Sequence, residues 1–170
     1  EGDLLHFTSG TYGSQKLVVR SHANLENEAM GVVDHLRLND SFVQVKNGYS
    51  FRILATTPLA HSFGCGLWRA SIMSGSTLYV STGKTVMERL TNTRKFLYDN
   101  KTDFLFGVPY LYHLLLRENV KLERRSTTIQ CFAGGEALSS LLSATWFVKT
   151  GASLKQEYGL GEGGIATIAT

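Results

Sequence analysis

Between Thr8 and Lys16 the chain reads Ser9-Gly10-Thr11-Tyr12-Gly13-Ser14-Gln15, with no carboxylate among these residues. Gly10 and Gly13 allow the backbone to turn tightly and aim N–H groups inward. Ser9, Thr11 and Ser14 add hydroxyl donors, and Lys16 adds a positive charge. Donors and a cation without a competing anion describe a cradle for a polyphosphate. The same composition also describes a polar surface turn with a solvated lysine. The Walker pattern GxxxxGK[ST] cannot be fitted to these residues.

Such a loop needs a rigid frame to position it. Short runs rich in Phe, Val, Ile and Thr, bounded by Gly, Ser or Pro, predict strands over Leu5–Thr8, Phe51–Thr56, Thr77–Val80, Asp103–Phe106, Thr128–Phe132 and Ser153–Glu157. Amphipathic spacing predicts helices over Asn24–Leu38, Ser62–Ser74, Val86–Tyr98, Tyr110–Glu118 and Ser139–Thr150. Pro109 suits a helix start, and Gly75 and Gly151 suit left-handed caps. Strand and helix in alternation predict an α/β fold, with a mostly parallel sheet flanked by helices on both faces. Ligands in such sheets sit beyond the carboxyl ends of the strands.

Composition narrows the function classes. A chain of 170 residues, 43% hydrophobic and 18% charged, suits one domain or a large piece of one. The net charge of +3 is mild, and no Lys/Arg stripe interleaved with aromatics favours nucleic acid. Arg124-Arg125 reads as a solvated loop. Cys65 and Cys131 lack CxxC or Cys/His spacing and read as reduced core thiols, which points to the cytoplasm. No apolar run is long enough for a transmembrane segment.

The segment FTSGTYGSQK, residues 7–16, resembles the signature loop of the adenylate-forming (acyl-activating, AMP-binding) superfamily, and is closest to acyl-CoA synthetases. TTPLAHSFG, FLFGVPYLYHLLL, CFAGGEALSS and QEYGLGEGG resemble four further motifs of that superfamily, in its order and near its spacing. Tyr12 and Gln15 stand where the pattern usually has Thr and Pro, and Gly161 stands where it usually has Thr. The loss of that Thr removes a hydroxyl and is expected to loosen the backbone.

The resemblance implies a set of roles. Thr8, Ser9, Gly10, Thr11, Gly13 and Lys16 would surround the β- and γ-phosphates of ATP, and Glu162 would hold Mg²⁺ together with phosphate oxygens. Tyr158 and Gly159 would lie by the adenine. Gly134, Gly135 and Glu136 would form a turn beside the adenosine and the acyl pocket, although Glu136 also suits a helix N-terminus. His61 would border the substrate carboxylate, whereas a histidine near a helix start is also an ordinary structural residue. Lys16 and His61 are thus the implied catalytic pair. The implied reaction joins a carboxylic acid to AMP and then to a thiol, of coenzyme A or a carrier protein. The resemblance further implies that residues 1–170 are an internal fragment of the large N-terminal domain. Its phosphate loop lies near 5–16 and its Tyr-Gly-x-x-Glu motif near 158–162, and the C-terminal domain with the catalytic lysine is absent.

From Arg52 to Gly83 there is neither Asp nor Glu, while Phe63, Cys65, Leu67, Trp68, Ile72 and Met73 are apolar. A buried substrate ammonium without a carboxylate would be costly. A fatty, short acyl or aryl acid is therefore expected rather than an α-amino acid. Two other classes stay open: a degenerate member that only binds a nucleotide or acyl ligand, and an unrelated α/β interaction module.

Overall fold

The computed structural model describes residues 3–8, 16–39, 50–99, 102–122 and 129–168. Its elements run β1 (Leu4–Thr8), β2 (Lys16–Arg20), α1 (His22–His35), β3 (Arg52–Ala55), α2 (Ser62–Ser74), β4 (Thr77–Val80), α3 (Val86–Tyr98), β5 (Phe104–Gly107), α4 (Pro109–Arg117), β6 (Gln130–Ala133), α5 (Ser140–Thr150), β7 (Leu154–Leu160) and β8 (Gly164–Ile168).

The main sheet has the order β4-β3-β5-β6-β7-β8. It is parallel from β4 through β7, and β8 adds antiparallel to β7. The α/β expectation therefore holds. Strand alternation divides the core in two. Ile53, Ala55, Phe104, Phe106 and Phe132 pack with α1 and α2 on one face. Leu54, Leu105, Cys131 and Ala133 pack with α3, α4 and α5 on the other. The chain leaves β3 towards β4 and returns to β5 on the opposite side of β3, so the strand order reverses between β3 and β5. That reversal opens a crevice at the carboxyl ends of the strands.

Local chemistry explains most of the boundaries. Pro109 opens α4, and Gly75 and Gly151 close α2 and α5 at φ 68° and 76°. Ser21 caps α1 by a reciprocal pair with Asn24, so this helix starts two residues before the predicted position. It also ends before Leu38, because Arg37 adopts φ 53°. Thr128, the predicted start of β6, lies outside the described residues.

Two strands had no sequence expectation. Lys16–Arg20 pairs antiparallel with β1, setting Thr8 opposite Lys16. Gly164–Ile168 returns along β7 after a turn at 161–163. Both thiols are buried and unpaired, as expected. Burial pushes the Cys131 thiol up to about 12, so it is inert as a nucleophile at neutral pH. Among the described residues, no helix is long and apolar enough to cross a membrane.

Candidate functional site

A cavity of about 650 Å³ lies at the carboxyl ends of β3, β6 and β7, where the β1–β2 hairpin meets them. Each wall comes from a different motif. Thr8 and Lys16 enter from the paired ends of the hairpin, and His6 and Phe7 lie on the same β1 strand. His61, Ser62 and Phe63 come from the start of α2, Gly135 from the turn after β6, and Gly159, Leu160, Gly161 and Glu162 from the β7–β8 turn. The sequence-selected residues Thr8, Lys16, His61, Gly135, Gly159 and Glu162 therefore converge, although up to 154 positions separate them. Ser9, Gly10, Thr11 and Gly13 lie outside the described residues.

His61 is the N-cap of α2, and its Nδ1 accepts the Phe63 N–H at 3.4 Å. That bond leaves Nε2 to carry the proton in the neutral ring. The ring is also exposed at the cavity wall. Lys16 and Glu162 are also exposed at the cavity.

Gly134, Glu136 and Tyr158 do not line the cavity. Tyr158 points outward, in alternation with the buried Glu157, and is 54% exposed. Glu136 precedes the N-cap Ser139 by three residues, so it is not in the first turn of α5, and the helix-dipole alternative is not realised. The turn containing it is held by Gln156. Its Nε2 donates to the carbonyls of Ala133 at 3.1 Å and Glu136 at 3.2 Å, while its Oε1 accepts the Leu138 N–H at 2.6 Å. Gln156 was not selected from the sequence, because a polar residue in a half-buried strand carries no signal of what it clamps.

The Gly161 turn is held on both sides. The His6 Nε2–H donates to the Gly161 carbonyl at 2.5 Å, and a Cβ on Gly161 would collide with Cγ2 of Thr8. Thr8 fills the room that a side chain at 161 would take.

Behind the cavity lies a buried ionic group that the sequence reading also missed. Arg20 donates to Glu28 at 2.8 Å, and both side chains are 2% exposed. Glu28 also accepts the Ile165 N–H at 2.6 Å, reaching through space left open by Gly164, whose φ is +72°. Glu157 lines the cavity itself, and burial, with the Glu28 charge adding to it, pushes its carboxyl up to about 7. Its only available sequence signal was an acid at an inward position of an otherwise regular strand pattern. Among the described residues, no cluster of three or more His, Cys, Asp or Glu could hold a metal by itself.

The arrangement offers a lysine and a carboxylate at an exposed rim, with Phe63 and Ile165 further in. Such a site can neutralise an anionic ligand at one end and take an organic group at the other.

The chain is similar to several known proteins. A putative acyl-coenzyme A synthetase of Emericella nidulans is 28% identical over 164 residues, covering 93% of this chain and 28% of that protein. The mitochondrial acyl-coenzyme A synthetase ACSM2 of Rattus norvegicus is 27% identical, covering 97% of this chain and 27% of that protein. The chain thus spans little more than a quarter of the length of these curated relatives. Among solved structures, ATP-bound MatB from Rhodopseudomonas palustris shares the fold at a TM-score of 0.74 and 20% identity, over 97% of this chain and 30% of that one. The Vibrio cholerae adenylation domain AlmE, in complex with glycyl-adenosine-5'-phosphate, does so at 0.73 and 23%, over 95% and 28%. The family model described as AMP-binding enzyme matches residues 4–170, and the chain belongs to that family.

Proposed function

We propose that the protein activates a carboxylic acid with ATP, forming an acyl-adenylate and pyrophosphate, and then passes the acyl group to the thiol of coenzyme A with release of AMP. The observation that carries this reading is the convergence of Thr8, Lys16, His61, Gly135 and the 159–162 turn on one cavity. The curated relatives named as acyl-coenzyme A synthetases support the choice of reaction and acceptor thiol.

In this reading the substrate carboxylate attacks the α-phosphorus and pyrophosphate leaves. Lys16, with the hydroxyl- and glycine-rich segment 9–14 beside it in sequence, neutralises the phosphates. Glu162 suits a magnesium ion, because the ion needs few protein carboxylates when phosphate oxygens and water complete its shell. Bound there, the ion would offset phosphate charge. His61 offers its Nε2–H to the acid's carboxylate, and Phe63 supplies an apolar wall. Orientation and charge neutralisation then account for most of the rate. Gly134, Gly135 and Glu136 would border the adenosine, with Tyr158 and Gly159 by the adenine. Residues 1–170 would form part of the large N-terminal domain.

The absence of Asp and Glu from 52–83 disfavours an α-amino acid and supports a fatty, short acyl or aryl acid. The two buried, unpaired thiols suit a reducing compartment such as the cytoplasm, and the rat relative is named mitochondrial. The test is acid-dependent exchange of pyrophosphate into ATP by the full-length protein. Exchange with short, medium or aryl acids and none with free α-amino acids is expected. Exchange with no acid at all would leave only a ligand-binding role and overturn the reading.

A further inference from the structure

The turn that carries Glu162 is fastened from outside its own sheet. Within it, the Gly163 N–H donates to the Leu160 carbonyl at 3.3 Å. Two further ties come from the separate β1–β2 hairpin. His6 of β1 donates its Nε2–H to the Gly161 carbonyl at 2.5 Å, and Arg20 of β2 reaches the Gly163 carbonyl at 3.4 Å. The carbonyls of the residues on either side of Glu162 are therefore both held by hairpin side chains.

The two ties are unequal. Arg20 is committed to Glu28 at 2.8 Å, and its reach to Gly163 is long for a hydrogen bond. His6 has no second duty of that kind. Its Nδ1 is buried and meets no partner among the described residues, so the Gly161 carbonyl is the ring's one polar tie there. A buried ring nitrogen without a partner costs stability. The ring is thus oriented for a single contact, and that contact acts on the peptide bond leading into Glu162. Thr8, two residues on from His6 and on the same face of β1, fills the space beside Gly161. One face of β1 therefore sets the turn, and the same strand leads directly into the phosphate-loop segment.

We propose that His6 is a positioning residue for Glu162. By holding the Gly161 carbonyl it fixes the carboxylate relative to the hairpin, so that Glu162 and Lys16 face one polyphosphate together. This rests on the acid-activating reading above, in which Glu162 suits a magnesium ion, and adds to it a residue that acts through the turn. Groups that orient a metal ligand matter nearly as much as the ligand itself. The gain in nucleotide affinity that magnesium brings then depends on His6.

The test measures the affinity of the full-length protein for ATP by calorimetry, once with magnesium and once with a chelator in its place. The ratio of the two affinities is the metal's contribution. Magnesium should tighten ATP binding in the wild type, and Glu162→Gln should remove that gain. His6→Phe keeps a ring without the donor and should lose most of the gain, up to roughly tenfold, the scale on which partners of metal ligands act. Its affinity for ATP without magnesium should stay close to that of the wild type. His6→Gln places an amide N–H about where the Nε2–H was and should restore most of the gain, whereas the shorter His6→Asn should not. This pair of amides carries the test even where His6→Phe does not fold.

Thermal melts and acid-dependent pyrophosphate exchange separate the ways to fail. Equal gains in His6→Gln and His6→Asn, or a lower melting temperature in His6→Phe with an unchanged gain, would make His6 a structural residue and overturn the proposal. A gain that survives in Glu162→Gln would also overturn it, by taking the metal away from this turn, while continued exchange would leave acid activation intact. No ATP binding under either condition, together with no exchange, would overturn both.

Discussion

Gly161 and Thr8 occupy one volume between them. Thr8 packs its methyl against Gly161, and His6 holds the Gly161 carbonyl. Adding a side chain at 161 alone must therefore displace Thr8 or the turn. Gly161→Thr is expected to destabilise the protein by about 1–3 kcal/mol, as overpacking does. Thr8→Ala in the same chain should recover much of that loss. Denaturant melts of the two single variants and the double variant would show the coupling. Additive effects would mean that the two positions do not share space.

Glu157 gives stability a definite dependence on pH. Its carboxyl is raised from 4.5 to about 7, chiefly by burial and then by Glu28. Between those values the folded state holds a proton that the unfolded chain has released, so stability falls as pH rises through that window. The full span is worth roughly 3 kcal/mol. The charged groups in this neighbourhood are Glu28 on α1 and Arg20 on β2, and His6, Lys16, His61 and Glu162 line the same cavity. Glu157→Gln should therefore be more stable than the wild type at pH 8, with the advantage vanishing near pH 4.5. Melts across this range check it, and parallel curves for the two proteins would contradict it.

At the scale of elements, the β1–β2 hairpin is tied to the main sheet through a few polar contacts. Arg20 at the end of β2 binds Glu28 on α1, and Glu28 in turn accepts the N–H of Ile165 on β8. A two-stranded ribbon is marginal by itself, so these ties set where Thr8 and Lys16 sit. Arg20→Met leaves Glu28 buried and unpaired, and should cost about 3–5 kcal/mol. Adding Glu28→Gln should return part of it, read by thermal melts.

The same elements show where sequence pattern falls short. The α2, α3 and β4 boundaries were legible because caps and apolar spacing agree there. β2 was hidden because Lys16 and Arg20 flank only Leu17, Val18 and Val19, directly after a loop that reads as a ligand cradle. β8 begins in a glycine-rich turn and is a short edge strand, which leaves little periodicity to detect. The Arg20–Glu28 pair and the burial of Glu157 depend on contacts between distant segments, with Glu28 and Ile165 separated by 137 positions. No local pattern carries such a contact.

At the scale of the whole molecule, the reversal of strand order between β3 and β5 brings the motif-bearing loops to one end of the sheet. The helices on either face are ordinary packing, and they fix that end. Phe106 stacks on Phe132 at 4.8 Å, and Phe63 meets Phe106 edge-on at 6.0 Å, so the cavity wall rests on the aromatic core beneath it. The residues with a recognisable chemical pattern were legible in the sequence as a group. Their spatial meeting, and the buried acid between them, needed the fold.

The most direct measurement is calorimetric titration of ATP with magnesium into the full-length protein, alongside Lys16→Ala. Saturable binding that weakens about tenfold or more in Lys16→Ala is the predicted result, because Lys16 is the cation at the hairpin end of the cavity. Absence of binding by the wild type, or binding that is unchanged in the variant, would contradict the placement of the nucleotide phosphates there.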